Sequence, residues 1–398
     1  MKRRIMIRLA GLTLACLLAF VLQLLMPGKA AAYAEEPSSS QGQVDELQTQ
    51  QVETYWEQLM KEYGGFFPEG RLPTFKEMLL SQGGGFSISS GLTGLLRYMW
   101  HEVLYSGHIL VTIVVLTVIS MMLETLQSAF EKGNVGKVAF AICYMVILVL
   151  AVNSFHSAVG YATQAITGMI DFMMAMVPLL FTLLASMGNV VTVSVTHPLV
   201  VFMVHTVGTL VHVVVFPLLF FSAILHIVSS MTDKYKLNQL ANLLRTVGMG
   251  LLGVLLTVFL GVISVKGAAG SVADGVTLRT AKYLTGNFVP VIGKMFADAT
   301  DTVISASILV KNSVGLVGVA IILFLCAFPA IKILTLALIY NLAAAVMQPL
   351  GDSPVVTCLE TIGKSMLYVF AVLAAVGLMF FLAITIMLTA GNITVMMR

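Results

Sequence analysis

The sequence is short of charge. Only 10% of its 398 residues are Asp, Glu, Lys or Arg, and 58% are hydrophobic, whereas a soluble domain carries about 25% charged residues. That balance excludes an ordinary soluble enzyme. The net charge of +3 provides no basic footprint for a nucleic acid. Cysteine is scarce as well. Cys16 lies in an N-terminal apolar run, and Cys143, Cys326 and Cys358 form no Cys-x-x-Cys pair, so neither a disulfide framework nor a zinc site follows.

The few charges are segregated. Residues 1–34 hold five bases and no acid, 35–102 hold ten acids against four bases, and 103–398 hold thirteen bases against nine acids. Lys2, Arg3, Arg4 and Arg8 precede an apolar stretch from Leu9 to Met26, and Pro27-Gly28 leads to Ala32-Tyr33-Ala34. This is the layout of a secretory signal cut before Glu35, with Ala32 and Ala34 as the small residues of the site. The alternative is an uncleaved anchor helix, because eighteen mostly apolar residues nearly span a bilayer. In both cases the acidic segment 35–102 is exported. Its first residues read as a Ser/Gln-rich linker, whereas Val44, Leu47, Val52, Tyr55, Leu59 and Tyr63 recur at helical spacing. A small amphipathic helix over 44–63 is expected, either docking or lying on the membrane, or packing on the chain's own loops. Gly64-Gly65 ends it.

From residue 103 the chain reads as an all-α, polytopic helical membrane protein. Apolar runs of about 20 residues, enough to cross a bilayer, fall near 103–123, 138–158, 166–187, 199–228, 247–265, 313–340 and 365–389. Seven spans from an exported N-terminus place eight Lys/Arg inside against four outside, as the positive-inside rule favours. Treating one segment of 138–228 as re-entrant divides them six to six, so seven is the expectation. Pro217, and Pro329 with Lys332, mark two spans that are either kinked or split.

No catalytic constellation emerges. Gly363-Lys364-Ser365 ends like a phosphate loop, but Cys358 stands where its first glycine belongs, and Tyr105 replaces the second histidine of a zinc-protease helix begun by His101-Glu102. No metal, cofactor or enzymatic activity is expected. His205 and His212 are two turns apart, about 10.5 Å by helix rise, too far for one metal; neutral histidines bonded to neighbouring helices are the better reading. Asp171 and Lys332 fall inside predicted spans, where an isolated ion costs at least about 2.5–3.5 kcal/mol. A pair between them would form a gate or proton-sensitive contact; the alternative is that both snorkel to an interface. Gly253, Thr257 and Gly261 repeat every four residues, the pattern of close helix packing within the chain or between copies. Methionines such as Met173, Met174 and Met176 read as adaptable packing.

Between the fifth and sixth spans, 266–311 is too polar and too long for a passive connector. Arg279 and Lys282 share one helical face, and Asp298 and Asp301 another. The expectation is a short amphipathic helical pair that lies on the membrane or enters the bundle, lining a passage or gripping a partner.

The run Val272-Ala273-Asp274-Gly275-Val276-Thr277-Leu278-Arg279-Thr280-Ala281-Lys282-Tyr283, followed by Gly286-Asn287-Phe288-Val289-Pro290-Val291 and Met295-Phe296-Ala297-Asp298-Ala299-Thr300-Asp301-Thr302, strongly resembles the stage III sporulation protein AE family. Further matches are Tyr55-Trp56, Glu62-Tyr63-Gly64-Gly65, Gln127-Ser128-Ala129-Phe130-Glu131-Lys132, Phe216-Pro217-Leu218-Leu219-Phe220, Asp233-Lys234-Tyr235-Lys236 and Gln348-Pro349-Leu350-Gly351-Asp352. They occur in order over nearly the whole chain. The resemblance implies a multi-pass protein of the mother-cell membrane around the forespore, in a secretion or feeding-tube complex that supports late forespore gene expression. It implies partners from the same operon, including a secretion-type ATPase and ring-forming subunits, with stage II sporulation protein Q reached indirectly. It carries over no active site. A stand-alone secondary transporter and a non-conducting scaffold are the competing readings; against the transporter, two matching halves with interrupted helices are not evident.

Overall fold

The computed structural model describes residues 50–67, 88–129, 134–231, 237–288, 292–350 and 354–396. The signal segment, with Ala32, Ala34 and Glu35, lies outside them. Every described element is helical. α1 is Gln50–Tyr63, followed by a 3-10 turn at Gly64–Phe66; α2 is Ile88–Ala129 and α3 is Asn134–Ser186. α4 (Val190–Leu210) passes through a π turn, Val211–Val215, into α5 (Phe216–Met231), and α6 (Asn238–Phe288), α7 (Ile292–Met347) and α8 (Pro354–Met396) complete the chain.

Among the described residues, six helices are long and apolar enough to cross a membrane, counting α4 and α5 as one, where seven were expected. The segments 138–158 and 166–187 are two halves of α3, whose 53 residues run about 80 Å at the rise of an α-helix. The stretch between them is polar, with Ser157, Tyr161 and Gln164, but Ala158, Ala162 and Ala165 favour helix and no proline interrupts. Lys332 Nζ sits 5.3 Å from the Tyr161 ring centroid, and just before the stretch the Tyr340 hydroxyl lies 2.8 Å from Ser154 Oγ and 3.2 Å from the Leu150 carbonyl, so α7 packs along it. With six crossings the lysines and arginines outside the bundle fall in nearly equal numbers on the two sides, so the charge rule no longer selects an orientation.

Proline has a second visible effect. Pro217 lacks the N–H that its preceding turn needs, and the chain absorbs the mismatch in the π turn just before it. α4 and α5 therefore form one continuous helical element rather than two half-helices. Pro329 likewise lies inside continuous α7.

The core is built on α7 and α8, where 50% and 56% of the most apolar window is buried, against 22% in α2. α7 runs antiparallel to both of its large neighbours. Lys311 Nζ donates to the Leu388 carbonyl at 2.8 Å, and Asn341 lies against Gly363, which fixes α7 against α8. Ser186 and Ser307 meet at 3.3 Å, and Met176 lies against Gly318, which fixes α3 against α7. α2, by contrast, leaves Leu104, Tyr105, Val111, Val115, Ile119 and Met122 exposed, an apolar face suited to lipid or protein.

α1 does not lie apart from the bundle. Val52, Trp56 and Leu59 are 1%, 2% and 3% exposed and belong to the main hydrophobic core. Tyr55 meets Phe172 of α3 edge-on at 5.6 Å, and Tyr63 stacks on Phe328 of α7 at 3.9 Å. Tyr98 of α2 packs on Phe328 as well, so α1 and α2 meet on the same face of α7. α1 thus buries its apolar stripe inside its own chain, which corrects the reading of it as a docking or membrane-lying element. Burial, then the hydrogen bond and charge of Glu62, hold the Tyr63 phenol above its ordinary range, so this ring packs as a neutral group.

Candidate functional site

The sharpest chemistry in the bundle lies where α3 turns into α4. α3 closes with a Schellman arrangement: Gly188, at φ 85°, takes the left-handed conformation that a side chain disfavours, its N–H bonds the Ala185 carbonyl, and the Asn189 N–H reaches back to Leu184. The first N–H groups of α4 then need acceptors. Asn189 holds the N-cap position but makes no side-chain cap. Asp274, from the middle of α6, does so instead: its carboxylate accepts from Val191 N at 2.8 Å and Thr192 N at 3.0 Å. Asp274 is 1% exposed. A carboxylate at a helix N-terminus is favoured by both hydrogen bonding and the helix dipole, which offsets the desolvation that burial imposes.

Close approach makes this possible. A methyl group on Gly270 would sit 2.5 Å from Thr192 Oγ1 and 3.1 Å from its Cα, so α6 meets the first turn of α4 almost backbone to backbone. Gly270→Ala is expected to weaken the fold by about 1–3 kcal/mol through this overpacking, read as a lower unfolding midpoint in detergent; an unchanged midpoint would show that α4 can shift without loss. Beside the contact, Phe181, Leu184, Thr192, Thr196, Ile263, Gly267 and Ile386 line a cavity of about 10 Å³, room for about one water.

The residues singled out in the sequence are scattered. Asp171 is exposed on α3, next to the Phe172 ring that meets Tyr55. Lys332 lies over Tyr161, ten residues down α3 and about 15 Å away by helix rise, so the two form no pair; this corrects the proposed gate. Arg279 is exposed on α6. Lys282, Asp298 and Asp301 fall in α6 and α7, but their side chains lie outside the described residues. The segment 266–311 is not a separate helical pair, for its two parts extend α6 and α7. Gly253, Thr257 and Gly261 are exposed on α6 and meet nothing of this chain near the two glycines, so packing within the chain is not their role. Gly270, Gly315, Gly318 and Gly377 mark the close contacts instead. His205 is exposed on α4, and His212, half-buried in the π turn, stacks on Phe216 with ring centroids 6.1 Å apart. Cys143, Cys326 and Cys358 are free.

Two residues escaped the sequence reading. Asp274 was visible only as part of a family motif, although an acid within an apolar helix already asks for a partner. Lys311, at the end of the 266–311 connector, reads as a loop charge, yet it is buried and bonded to α8.

A bundle of long apolar helices, cross-braced by buried polar contacts, defines a multi-pass membrane protein. Among the described residues, no three His, Cys, Asp or Glu side chains converge on a metal site. The family model for stage III sporulation protein AE matches residues 72–391. The chain is 53% identical over 352 residues to the stage III sporulation protein AE of Bacillus subtilis (strain 168), covering 88% of each chain. No solved structure matches it. The chain belongs to the stage III sporulation protein AE family, and so among the sporulation proteins.

Proposed function

We propose that the chain is an integral membrane subunit of a sporulation-specific secretion or channel complex joining mother cell and forespore. It sits in the mother-cell membrane around the forespore, and its partners are other products of the same operon, including a secretion-type ATPase and ring-forming subunits. One observation carries the reading: α2 leaves Leu104, Tyr105, Val111, Val115, Ile119 and Met122 exposed, an apolar face that its own bundle does not cover and that other subunits can take up. The exposed Asp171 of α3 is a second such surface.

Gentle detergent extraction of a tagged chain from sporulating cells tests this. Recovery in a large assembly with the ATPase and ring proteins is expected. Recovery as a small homo-oligomer, under conditions that preserve the other subunits' contacts, would overturn the reading and raise a stand-alone transporter in its place. Asp171→Asn separates a path from a scaffold. Loss of late forespore gene expression with the assembly intact is expected; normal expression would assign the subunit to scaffolding.

A further inference from the structure

α1 lies at the wrong depth for its composition. Tyr55 of α1 meets Phe172 of α3. Within one turn of Phe172, Met169 lies against Gly377 of α8, Ile170 lies against Gly208 of α4, and Met176 lies against Gly318 of α7. Three residues beyond Gly377, Phe380 packs on Phe259 of α6. Five helices therefore share the level of Tyr55 to within about one turn, or about 5 Å. On four of them this level is in the middle of apolar sequence: no Asp, Glu, Lys or Arg occurs in 190–231, 246–265, 313–331 or 365–396. The outer faces of α4, α6 and α7 are apolar too, with Phe202, Val254, Val258 and Leu323 exposed. This is the composition of a surface bathed in hydrocarbon.

α1 presents the opposite. Its apolar stripe is buried in the bundle, and its outward face carries Glu57, Gln58, Lys61 and Glu62, with Glu53 half-buried beside them. Asp171 is exposed on the adjoining turn of α3. Each charge held in hydrocarbon costs roughly 2.5–3.5 kcal/mol, and three acids with one base on this face, with Asp171 beside them, multiply that cost. Long side chains at a helix end can snorkel, but this face is held at the centre of its neighbours' apolar windows by the Tyr55–Phe172 contact.

We infer that α1 and the adjoining turn of α3 form one wall of a water-filled space at bilayer depth, with the other helices facing lipid at the same level. The wall is acidic, with Glu53, Glu57, Glu62 and Asp171 against Lys61, and favours cationic or polar contents over anions. α1 is thereby part of the membrane-embedded body, and the path lies outside the single chain, between α1 and whatever closes the space opposite it. As to purpose the inference rests on the channel reading above; water access itself is measured without it.

Single cysteines at Glu57, Gln58 and Val258, introduced into the full chain, test it in unsealed membranes from sporulating cells. A membrane-impermeant thiol reagent is applied, and labelling is read above the background of the unmodified chain. Glu57→Cys and Gln58→Cys are expected to react at least about tenfold faster than Val258→Cys, because the reagent takes the thiolate and hydrocarbon suppresses it. Equal reaction at all three would overturn the inference by placing this level outside the bilayer. No reaction at either α1 position would overturn it by showing that face sealed from water. Slow labelling of α1 in an intact large assembly would sink the wall while sparing the channel reading; fast labelling in a small homo-oligomer would do the reverse.

Discussion

Asp274→Ala is expected to destabilise the bundle by about 3 kcal/mol, because it removes two charge-assisted hydrogen bonds and leaves two helix N–H groups, that of Thr192 buried, without acceptors. Local repair is poorly placed. Asn189 occupies the cap position but directs no side-chain bond to α4, and its polar side-chain atoms are buried without partners. The acceptor comes from 83 residues away, so the loss also loosens α6 from the start of α4. Asp274→Asn, which keeps one carbonyl oxygen, should lie between alanine and the native chain. The check is the thermal unfolding midpoint in detergent together with accumulation in sporulating cells. A midpoint unchanged by alanine would mean that α4 recruits another acceptor.

Trp56→Ala is the second large effect. Trp56 is 2% exposed within the main core, and deleting a buried aromatic of this size costs about 3–5 kcal/mol. The loss is local, because α1 is joined to α2 through 64–87 and held to α3 and α7 by a short stripe. Release of α1 is therefore expected before global unfolding, read as new protease sensitivity within 50–63 while the rest of the chain keeps its midpoint. Trp56→Phe, which preserves most of the apolar area, should leave α1 protected. If alanine leaves the segment as resistant as before, the aromatic contacts of Tyr55 and Tyr63 hold α1 without Trp56.

Both predictions concern contacts between residues far apart in the chain, and that is where the sequence was least legible. The helical spacing of Val52, Tyr55, Leu59 and Tyr63 marked an amphipathic helix but could not say what its stripe would bury. Asp171 and Lys332 each stood out as an ion in an apolar run, and partnership was a reasonable guess from cost alone. Antiparallel packing of α3 on α7 places Tyr161, not Asp171, beside Lys332. Gly253, Thr257 and Gly261 fitted a packing pattern, yet the rotation of α6 turns them outward and brings Gly267 and Gly270 inward.

By itself the sequence determined that this is an all-helical, multi-pass chain, because hydropathy, helix propensity and charge scarcity act over a turn or a span and are written in consecutive residues. Family membership was likewise legible, from motifs preserved in order. Tertiary structure alone decided that two apparent spans are one 53-residue helix, that α1 joins the core, and that Asp274 caps a helix it does not belong to. Each of these depends on which surface fills a groove and which donor lacks an acceptor once distant segments meet. Such questions are settled by packing and hydrogen-bond satisfaction across the bundle, and no local window of sequence contains them.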